Sequence, residues 1–282
     1  MIDTFKRLKN ISLQFGLIVN DNKMKYMKCT RKETQLNKLI VGNKHIDQVR
    51  SFSYLGTIEN GNNTLEEEIT ERIAKGNKAF YTNKVLFKSN LVSRKSKLKL
   101  YWSVIRPIVV YGYETWVLKE SIIQKLSVFE RKILRKIFGP TKEANGIWRI
   151  KTNKELDELI KQRNIIHYVK AQRYSWFGHT NRMPETSIVK RIHKWKPFTG
   201  RPGGRPKSRW KDDVRNDLKK MKPVKWAEQV QDRSKWKAIV EKAKTFRVVA
   251  PKKKKKKHRV IMVHTCSNVF KWLWNVVTCT KE

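Results

Sequence analysis

The sequence predicts a mainly helical protein with a small α+β part near its amino terminus. Between residues 17 and 58, short apolar runs alternate with polar turns, which is typical of strands. From residue 64 onward, apolar residues recur every three or four positions, as Leu98, Trp102 and Ile105 do, which indicates amphipathic helices. Capping residues mark helix starts in this second part.

The first sixty residues are predicted to contain one helix followed by several short strands. The helix covers about Asp3 to Gln14, because Phe5 and Leu8 lie on one face and Gly16 stops it. Strand candidates follow at residues 17–19, 23–29, 40–41, 46 and 52–55.

Capping signals divide the following part of the chain into helices. Thr64 and Glu67 form a predicted capping box, and the acidic run at 66–68 suits the first turn of a helix. Ser93 is the predicted cap of a second helix, which Pro107 ends or kinks. A third helix is predicted from about residue 121 to Gly139.

Farther on, Thr152 and Glu155 form a second predicted capping box. Residues 197–206, PFTGRPGGRP, are predicted to be a basic linker, because glycine and proline disfavour helices and strands. Helical spacing resumes at Trp210 and ends near Lys244.

The charge of the chain indicates its class of partner. The sequence holds 65 Lys and Arg residues against 24 Asp and Glu, a formal net charge of +41, which favours a polyanion. Ten Trp, eight Tyr and eleven Phe residues are interleaved with the basic ones. Because aromatic rings stack on unpaired bases, we expect RNA and DNA as partners, and neither a membrane nor a small-molecule substrate.

Cysteine content indicates the compartment. Cys29, Cys266 and Cys279 are too few and too scattered for a disulfide framework or a zinc site, so no metal is predicted. The opening MIDTFKRLKN lacks the apolar segment of a signal peptide. We expect an intracellular protein, nuclear or cytoplasmic and not secreted; no pattern indicates its oligomeric state.

Several segments occur in the order in which one known family has them. They are GLIVNDNKMKYM (16–27), FSYLGTI (52–58), KSNLVSRKSKLKLYWSVIRPIVVYGYETW (88–116), FERKILRKIFGP (129–140), RYSWFGHTNRM (173–183), GRPGGRPKSRWKDDV (200–214) and DRSKWKAIVEKAK (232–244). Together they resemble the reverse transcriptase of non-LTR (LINE-like) retrotransposons over about residues 1–247.

The resemblance implies a carboxy-terminal fragment of an RNA-directed DNA polymerase. Its parts would be a partial palm with the primer grip (1–62), a helical thumb (63–140) and a helical basic carboxy-terminal region (141–248). The lysine-rich tail (249–282) lies beyond the resemblance and is predicted from its composition to be disordered. In this family the aspartates that bind Mg²⁺ lie upstream of the region that Met1 matches. The fragment is therefore expected to hold template and primer without extending them and without a cofactor of its own.

The same resemblance assigns two sets of site residues. Lys23 matches the palm lysine near the phosphates of the incoming nucleotide. Tyr54, Leu55 and Gly56 would form the tip of the primer grip, the hairpin that holds the primer 3′ end.

Other residues are predicted from their own surroundings. Four basic residues are expected to contact phosphates because glycine and proline leave them exposed, namely Arg201, Arg205, Lys207 and Arg209. Trp102 and Trp116, together with Tyr54, are candidates for packing near nucleic acid, with a place in the core as the alternative.

Two adjacent carboxylates and one histidine are given structural roles. Asp212 and Asp213 project from a predicted helix in lysine-rich surroundings, so ion pairs on a solvated face are favoured over a metal site. His179 is expected to be structural or to contact phosphate, and no triad partner lies at a suitable spacing.

Further hypotheses stay open. A host-adopted, non-enzymatic nucleic-acid-binding protein would have the same composition. A nuclease would require clustered carboxylates, for which Asp212, Asp213 and Asp217 are available. The six lysines at 252–257 fit a nuclear import signal or a nucleic-acid-binding patch or, by the resemblance, a translated adenine-rich tract.

Overall fold

The computed structural model describes residues 2–20, 23–29, 35–42, 44–195, 209–221, 223 and 225–245. The helices in these ranges are α1 (Ile2–Gln14), α2 (Glu66–Thr82), α3 (Lys84–Lys88), α4 (Arg94–Leu100), α5 (Arg106–Val109), α6 (Glu120–Phe138), α7 (Asn153–Leu159), α8 (Ile165–Arg182), α9 (Ile188–Lys194), α10 (Trp210–Met221), α11 (Trp226–Gln229) and α12 (Arg233–Ala243). A π-helical turn (Tyr101–Ile105) joins α4 to α5, and a 3-10 turn (Tyr113–Thr115) follows α5. The predicted fold class, mainly α with a small α+β part, is confirmed.

Strands form three small sheets within the described residues. They are β1 (Lys25–Tyr26), β2 (Leu39–Val41), β3 (Lys44–Gln48), β4 (Ser51–Tyr54), β5 (Thr57–Asn60), β6 (Thr141–Lys142) and β7 (Trp148–Arg149). β3 pairs with β1 in parallel and with β2 antiparallel, whereas β4–β5 and β6–β7 are antiparallel pairs.

The strand predicted at residues 17–19 is wrong. Leu17 and Ile18 are 64% and 86% exposed, so an extended segment there would have no surface against which to bury its apolar side chains. The predicted linker at 197–206 and the predicted tail at 249–282 lie outside the described residues. The boundaries predicted at 62, 140 and 248 stay predictions.

The capping box predicted at Thr64 is also wrong. α2 begins at Glu66, and Leu65 occupies its N-cap without a side-chain hydrogen bond. The Thr64 hydroxyl instead accepts a hydrogen bond from the Asn60 amide at 3.0 Å, while Asn60 Oδ1 accepts from the Thr64 N–H at 2.8 Å. Thr64 is therefore bonded to the last residue of β5 and does not cap the helix as predicted.

The other two predicted caps are confirmed. Ser93 accepts a hydrogen bond from the Ser96 N–H at the start of α4, and Thr152 and Glu155 form the full capping box of α7. Pro107 does not end its helix. The π-helical turn ends at Ile105, two residues before Pro107, and α5 then continues through Pro107 to Val109.

Two hydrophobic clusters are joined by α8. Ile165 and Val169 at the start of this helix belong to the first cluster, which α2, α4, α5 and α6 also build. Tyr174 and Phe177 at its end belong to the second, together with α10 and α12. No helix in the described part of the chain combines the length and the apolar character needed to cross a membrane.

α12 crosses α8 in close contact at Gly178. A Cβ atom at this position would lie 2.1 Å from Trp236 Nε1, so only glycine lets the indole reach the backbone of α8. Trp236 is 2% exposed and donates a hydrogen bond from Nε1 to the Tyr174 carbonyl at 2.8 Å. This contact fixes the geometry of the second cluster.

A buried carboxyl group lies inside the first cluster. Glu130 is 2% exposed, and its two oxygens accept hydrogen bonds from the Tyr101 hydroxyl at 3.0 Å and from the Ile165 N–H at 2.8 Å. Burial raises the pKa of Glu130 from its ordinary value of 4.5 to about 7, against the opposite influence of these hydrogen bonds.

Stability is therefore expected to fall between about pH 4.5 and pH 7. The folded-state pKa of Glu130 exceeds the unfolded value, so its stabilising contribution is complete below pH 4.5 and is lost as the pH rises through 7. Glu130→Gln stays neutral and can bond both partners, so it should be more stable than the parent at pH 8 by about 3 kcal/mol. Urea denaturation at pH 5 and pH 8 measures this difference. Glu158→Gln, an exposed control, should follow the parent, and parallel curves for the parent and Glu130→Gln would contradict the assignment.

Candidate nucleic-acid interface

The predicted primer-grip residues form the tip of the β4–β5 hairpin. Tyr54 pairs with Thr57, which leaves Leu55 and Gly56 as a two-residue turn. Both turn residues have positive φ angles, 48° and 81°, as in a type I′ hairpin turn. Tyr54 and Leu55 are 62% and 77% exposed, so the structure brings the predicted residues together on a projecting tip.

Side chains outside the hairpin hold the backbone of this tip. The Tyr111 hydroxyl donates a hydrogen bond to the Leu55 carbonyl at 3.2 Å, and Arg72 Nη2 donates one to the Gly56 carbonyl. The Arg72 guanidinium also stacks on the Tyr111 ring, 4.5 Å from its centroid. The turn is thus fixed by residues 16 and 56 positions away in the sequence.

A buried ion pair joins the hairpin to α2. Arg72 Nε donates to Glu68 Oε1 at 2.6 Å, and the Ile58 N–H of β5 donates to Glu68 Oε2 at 2.7 Å. The side chains of Arg72 and Glu68 are 7% and 1% exposed. Sequence reasoning missed both residues as supports of the hairpin. Their i, i+4 spacing was the available signal.

Lys23 lies apart from this arrangement. It is exposed, it precedes β1, and its backbone N–H donates to the Asn20 carbonyl at 3.2 Å. Among the described residues, no hydrogen bond or ion pair connects Lys23 to the hairpin. Its role near a nucleotide stays a prediction.

The predicted phosphate contacts fall mostly outside the described residues. Arg201, Arg205 and Lys207 lie in the range 196–208, which the structure does not describe. Arg209 is exposed directly before α10, and its carbonyl accepts a hydrogen bond from the Asp213 N–H at 3.0 Å. Trp102 is half-buried, whereas Trp116 is fully buried and belongs to the core.

The carboxylates of α10 bind cations of α8. Asp213 Oδ2 accepts from Arg173 Nη2 at 2.7 Å and from the Leu118 N–H at 3.1 Å. Asp217 Oδ1 lies 3.0 Å from Lys170 Nζ. The ion pair expected at Asp213 is present, but this side chain is only partly exposed and Asp217 is buried. Both carboxylates face α8 and not solvent, so their ion pairs connect α10 to α8.

His179 is exposed on α8, with its ring 5.5 Å from that of Trp176. No group of three or more histidine, cysteine or acidic residues with the geometry of a metal site occurs in the ranges that the structure describes.

A basic pocket forms where α3, α4 and α6 meet. It has a volume of about 590 Å³. Five cationic side chains line it, Lys84, Lys88, Arg94, Lys97 and Lys136, above the aromatic rings of Phe80, Phe87 and Phe138. No carboxylate lies among the described residues that line it. The concentration of one sign of charge in a concave site attracts anions.

Two of these cations have unusual surroundings. Lys97 is only 8% exposed and forms no hydrogen bond or ion pair through its side chain within the described ranges. Lys136 Nζ lies 5.0 Å from the ring centroid of Phe80 and 4.9 Å from that of Tyr81. A buried lysine is ordinarily paired, so an anion in the pocket would offset the cost of desolvating Lys97.

The spacing of four of these cations in the sequence indicates part of this pocket. Lys84 and Lys88 are four residues apart, and Arg94 and Lys97 are three apart, so each pair shares a helical face. Lys136 reaches the pocket from a distant helix, which local spacing does not show.

Comparison with known proteins adds one relative. No protein-family profile matches the chain, and no solved structure gives a significant match. The chain is similar to an uncharacterized transposon-derived protein of Caenorhabditis elegans, with 23% identity over 237 residues that cover 80% of this chain and 84% of the relative.

Proposed function

We propose that the chain is transposon-derived and that it binds RNA and DNA through their phosphates. Its origin is supported by the similarity to the transposon-derived protein of C. elegans. More specifically, we propose a fragment of a non-LTR retrotransposon reverse transcriptase, nuclear or cytoplasmic in location. The order of the sequence motifs and the exposed tip at Tyr54 and Leu55 support this finer assignment.

The basic pocket is the observation that carries the binding proposal. Its cations would neutralise phosphates of a strand that lies across α3, α4 and α6, and the counterions released would make affinity depend on salt. Because phosphates carry no base identity, this contact would position a strand without reading its sequence. The hairpin tip would add an exposed tyrosine suited to stacking on an unpaired base.

A nuclease is a weaker alternative. Asp213 and Asp217 already bind Arg173 and Lys170 at 2.7 and 3.0 Å, so two of the three carboxylates that such a site would require have structural partners.

Removing charge from the basic pocket tests the proposal. Replacing Lys84, Lys88, Arg94 and Lys136 with glutamine should lower affinity for an RNA–DNA duplex. The negative slope of log affinity against log salt should become shallower by about 3.6 units, about 0.9 for each of the four lost phosphate contacts. Fluorescence anisotropy across a salt series measures both quantities. Lys97 is left unchanged because it is buried.

A matched control carries the same loss of charge elsewhere. Lys154, Lys161, Lys219 and Lys237 are exposed and lie outside the basic pocket, so their replacement by glutamine should change the slope much less. Equal slopes for the two variants would show that net charge alone sets the affinity and would refute the pocket. Tight preference for one duplex sequence would instead support an adopted, sequence-specific regulator.

A further inference from the structure

A second pocket, which we name the Arg106 cavity, lies between the π-helical turn, the start of α8 and the end of α12. Its volume is about 240 Å³. The lining includes Trp102, Arg106, Arg163, Tyr168, Glu241 and Lys244. Of these residues, only Trp102 is among the sequence-predicted candidates for contact with nucleic acid, and none of them lines the basic pocket.

Among the residues that line the cavity, Arg106 has the most unusual surroundings. Its guanidinium carbon lies 4.0 Å from the ring centroid of Tyr168 and 5.8 Å from that of Trp102. Within the described ranges it makes no hydrogen bond or ion pair through its side chain, and its Nε atom is buried without a partner. Trp102 Nε1, on the same wall, is likewise buried without a partner. Buried polar groups in proteins are nearly always bonded, so two such atoms in one wall require an explanation.

Both unsatisfied groups are donors, which indicates the chemistry of the missing partner. A guanidinium and an indole N–H can bond only to an acceptor. The cavity carries three cations, Arg106, Arg163 and Lys244, against one carboxylate among its described lining residues, Glu241. Lys244 Nζ holds that carboxylate at 2.6 Å. The buried Glu130, which is not part of this lining, also interacts electrostatically with Arg106. An excess of positive charge remains with Arg163 and Arg106 together, which favours an anion, and guanidinium groups match phosphate in geometry.

We propose that the Arg106 cavity binds a nucleoside 5′-phosphate, with the phosphate on Arg106 and Arg163 and the base against Trp102. The cavity is smaller than the range of about 300–1,000 Å³ that is typical of sites for drug-sized ligands. A dinucleotide is therefore excluded, and part of a bound mononucleotide would remain outside the cavity. The ligand is either a free nucleotide or the phosphorylated end of a strand. The second source rests on the proposed function and the first does not.

Calorimetric titration with AMP at physiological salt tests the site. Arg163→Ala should weaken AMP binding about tenfold, the effect of one charge-assisted hydrogen bond. Arg191→Ala, an exposed arginine outside the cavity, should leave it unchanged. Glu241→Gln removes the wall carboxylate and should tighten AMP binding about threefold, which no loss of folding would produce. Glu228→Gln, an equal change of charge on an exposed residue, is its control.

Further ligands distinguish the outcomes. Adenosine should not bind detectably, and equal affinity for AMP and inorganic phosphate would overturn the assignment of the base. If a 5′-phosphorylated RNA hexamer binds more tightly than its 5′-hydroxyl form, and if Arg163→Ala removes this difference, the ligand is a strand end. If AMP binds but the two hexamers bind equally, the ligand is a free nucleotide. AMP binding unaffected by both Arg163→Ala and Glu241→Gln would overturn the site. The four-residue variant of the basic pocket should retain AMP binding, so the two proposals can fail separately.

Discussion

Arg72→Ala should destabilise the protein by about 3–5 kcal/mol, because it leaves Glu68 buried without its cation. The variant also loses the hydrogen bond to the Gly56 carbonyl and the stacking on Tyr111. The tip of the hairpin should therefore become more mobile when Arg72 is removed. Urea denaturation measures the loss of stability, and hydrogen exchange of the Ile58 amide, which donates to Glu68, reports on the hairpin.

The same helix provides the control for this prediction. Lys75 and Glu71 form an i, i+4 pair at 3.4 Å, but both side chains are more than 40% exposed. Lys75→Ala should cost less than about 0.5 kcal/mol. The double variant Glu68→Ala/Arg72→Ala should be less destabilised than the sum of its single variants, because each single variant leaves one buried charge unpaired and the double variant leaves none. An Arg72→Ala variant that behaves like Lys75→Ala would mean that the buried pair does not anchor the hairpin.

Gly178→Ala is the second substitution with a large expected effect. Alanine ordinarily stabilises a helix by about 1 kcal/mol relative to glycine. Here the new methyl group would lie 2.1 Å from Trp236 Nε1 and 2.3 Å from its Cδ1, and the ring is held by its bond to Tyr174. Steric overlap should outweigh helix propensity, for a net loss of about 3 kcal/mol in urea denaturation.

Two further variants isolate the cause. Ser175→Ala lies on the exposed face of α8 and should be nearly neutral. Trp236→Leu removes the clashing ring, so adding Gly178→Ala to it should cost much less than adding it to the parent protein. An equal cost in both backgrounds would place the origin of the effect outside this contact.

Local signals in the sequence predicted most of the helices. Ser93 and Thr152 cap α4 and α7 because each makes its hydrogen bond within three residues, where no distant group intervenes. Thr64 failed as a cap for the opposite reason. Asn60, at the end of β5, donates a hydrogen bond to the Thr64 hydroxyl. A capping pattern that begins at the helix does not include Asn60.

The geometry of the candidate site could be predicted only where the residues involved are close together in the sequence. The resemblance of FSYLGTI to the primer grip implies a hairpin tip at Tyr54 to Gly56, and the structure has a hairpin turn there. Its supports come from elsewhere in the chain: Arg72 from α2, and Tyr111 from the turn that follows α5. Likewise, Arg173 and Asp213 are 40 positions apart, and Lys136 joins the basic pocket from α6. Contacts of this kind depend on how helices pack, which no spacing rule along the chain encodes.

The π-helical turn at Tyr101–Ile105 decides where this segment can change in length. Its hydrogen bond runs from the Arg106 N–H to the Tyr101 carbonyl, so the turn contains one residue more than an α turn. Deleting one residue within it would restore α-helical winding and leave the following residues on nearly the same faces, with Arg106 beside Tyr168 and Val109 in the core. Deleting one residue from α4, which has no extra residue to lose, would instead rotate everything that follows by about 100°. Homologous chains should therefore lose a residue between Tyr101 and Ile105 more readily than between Arg94 and Leu100.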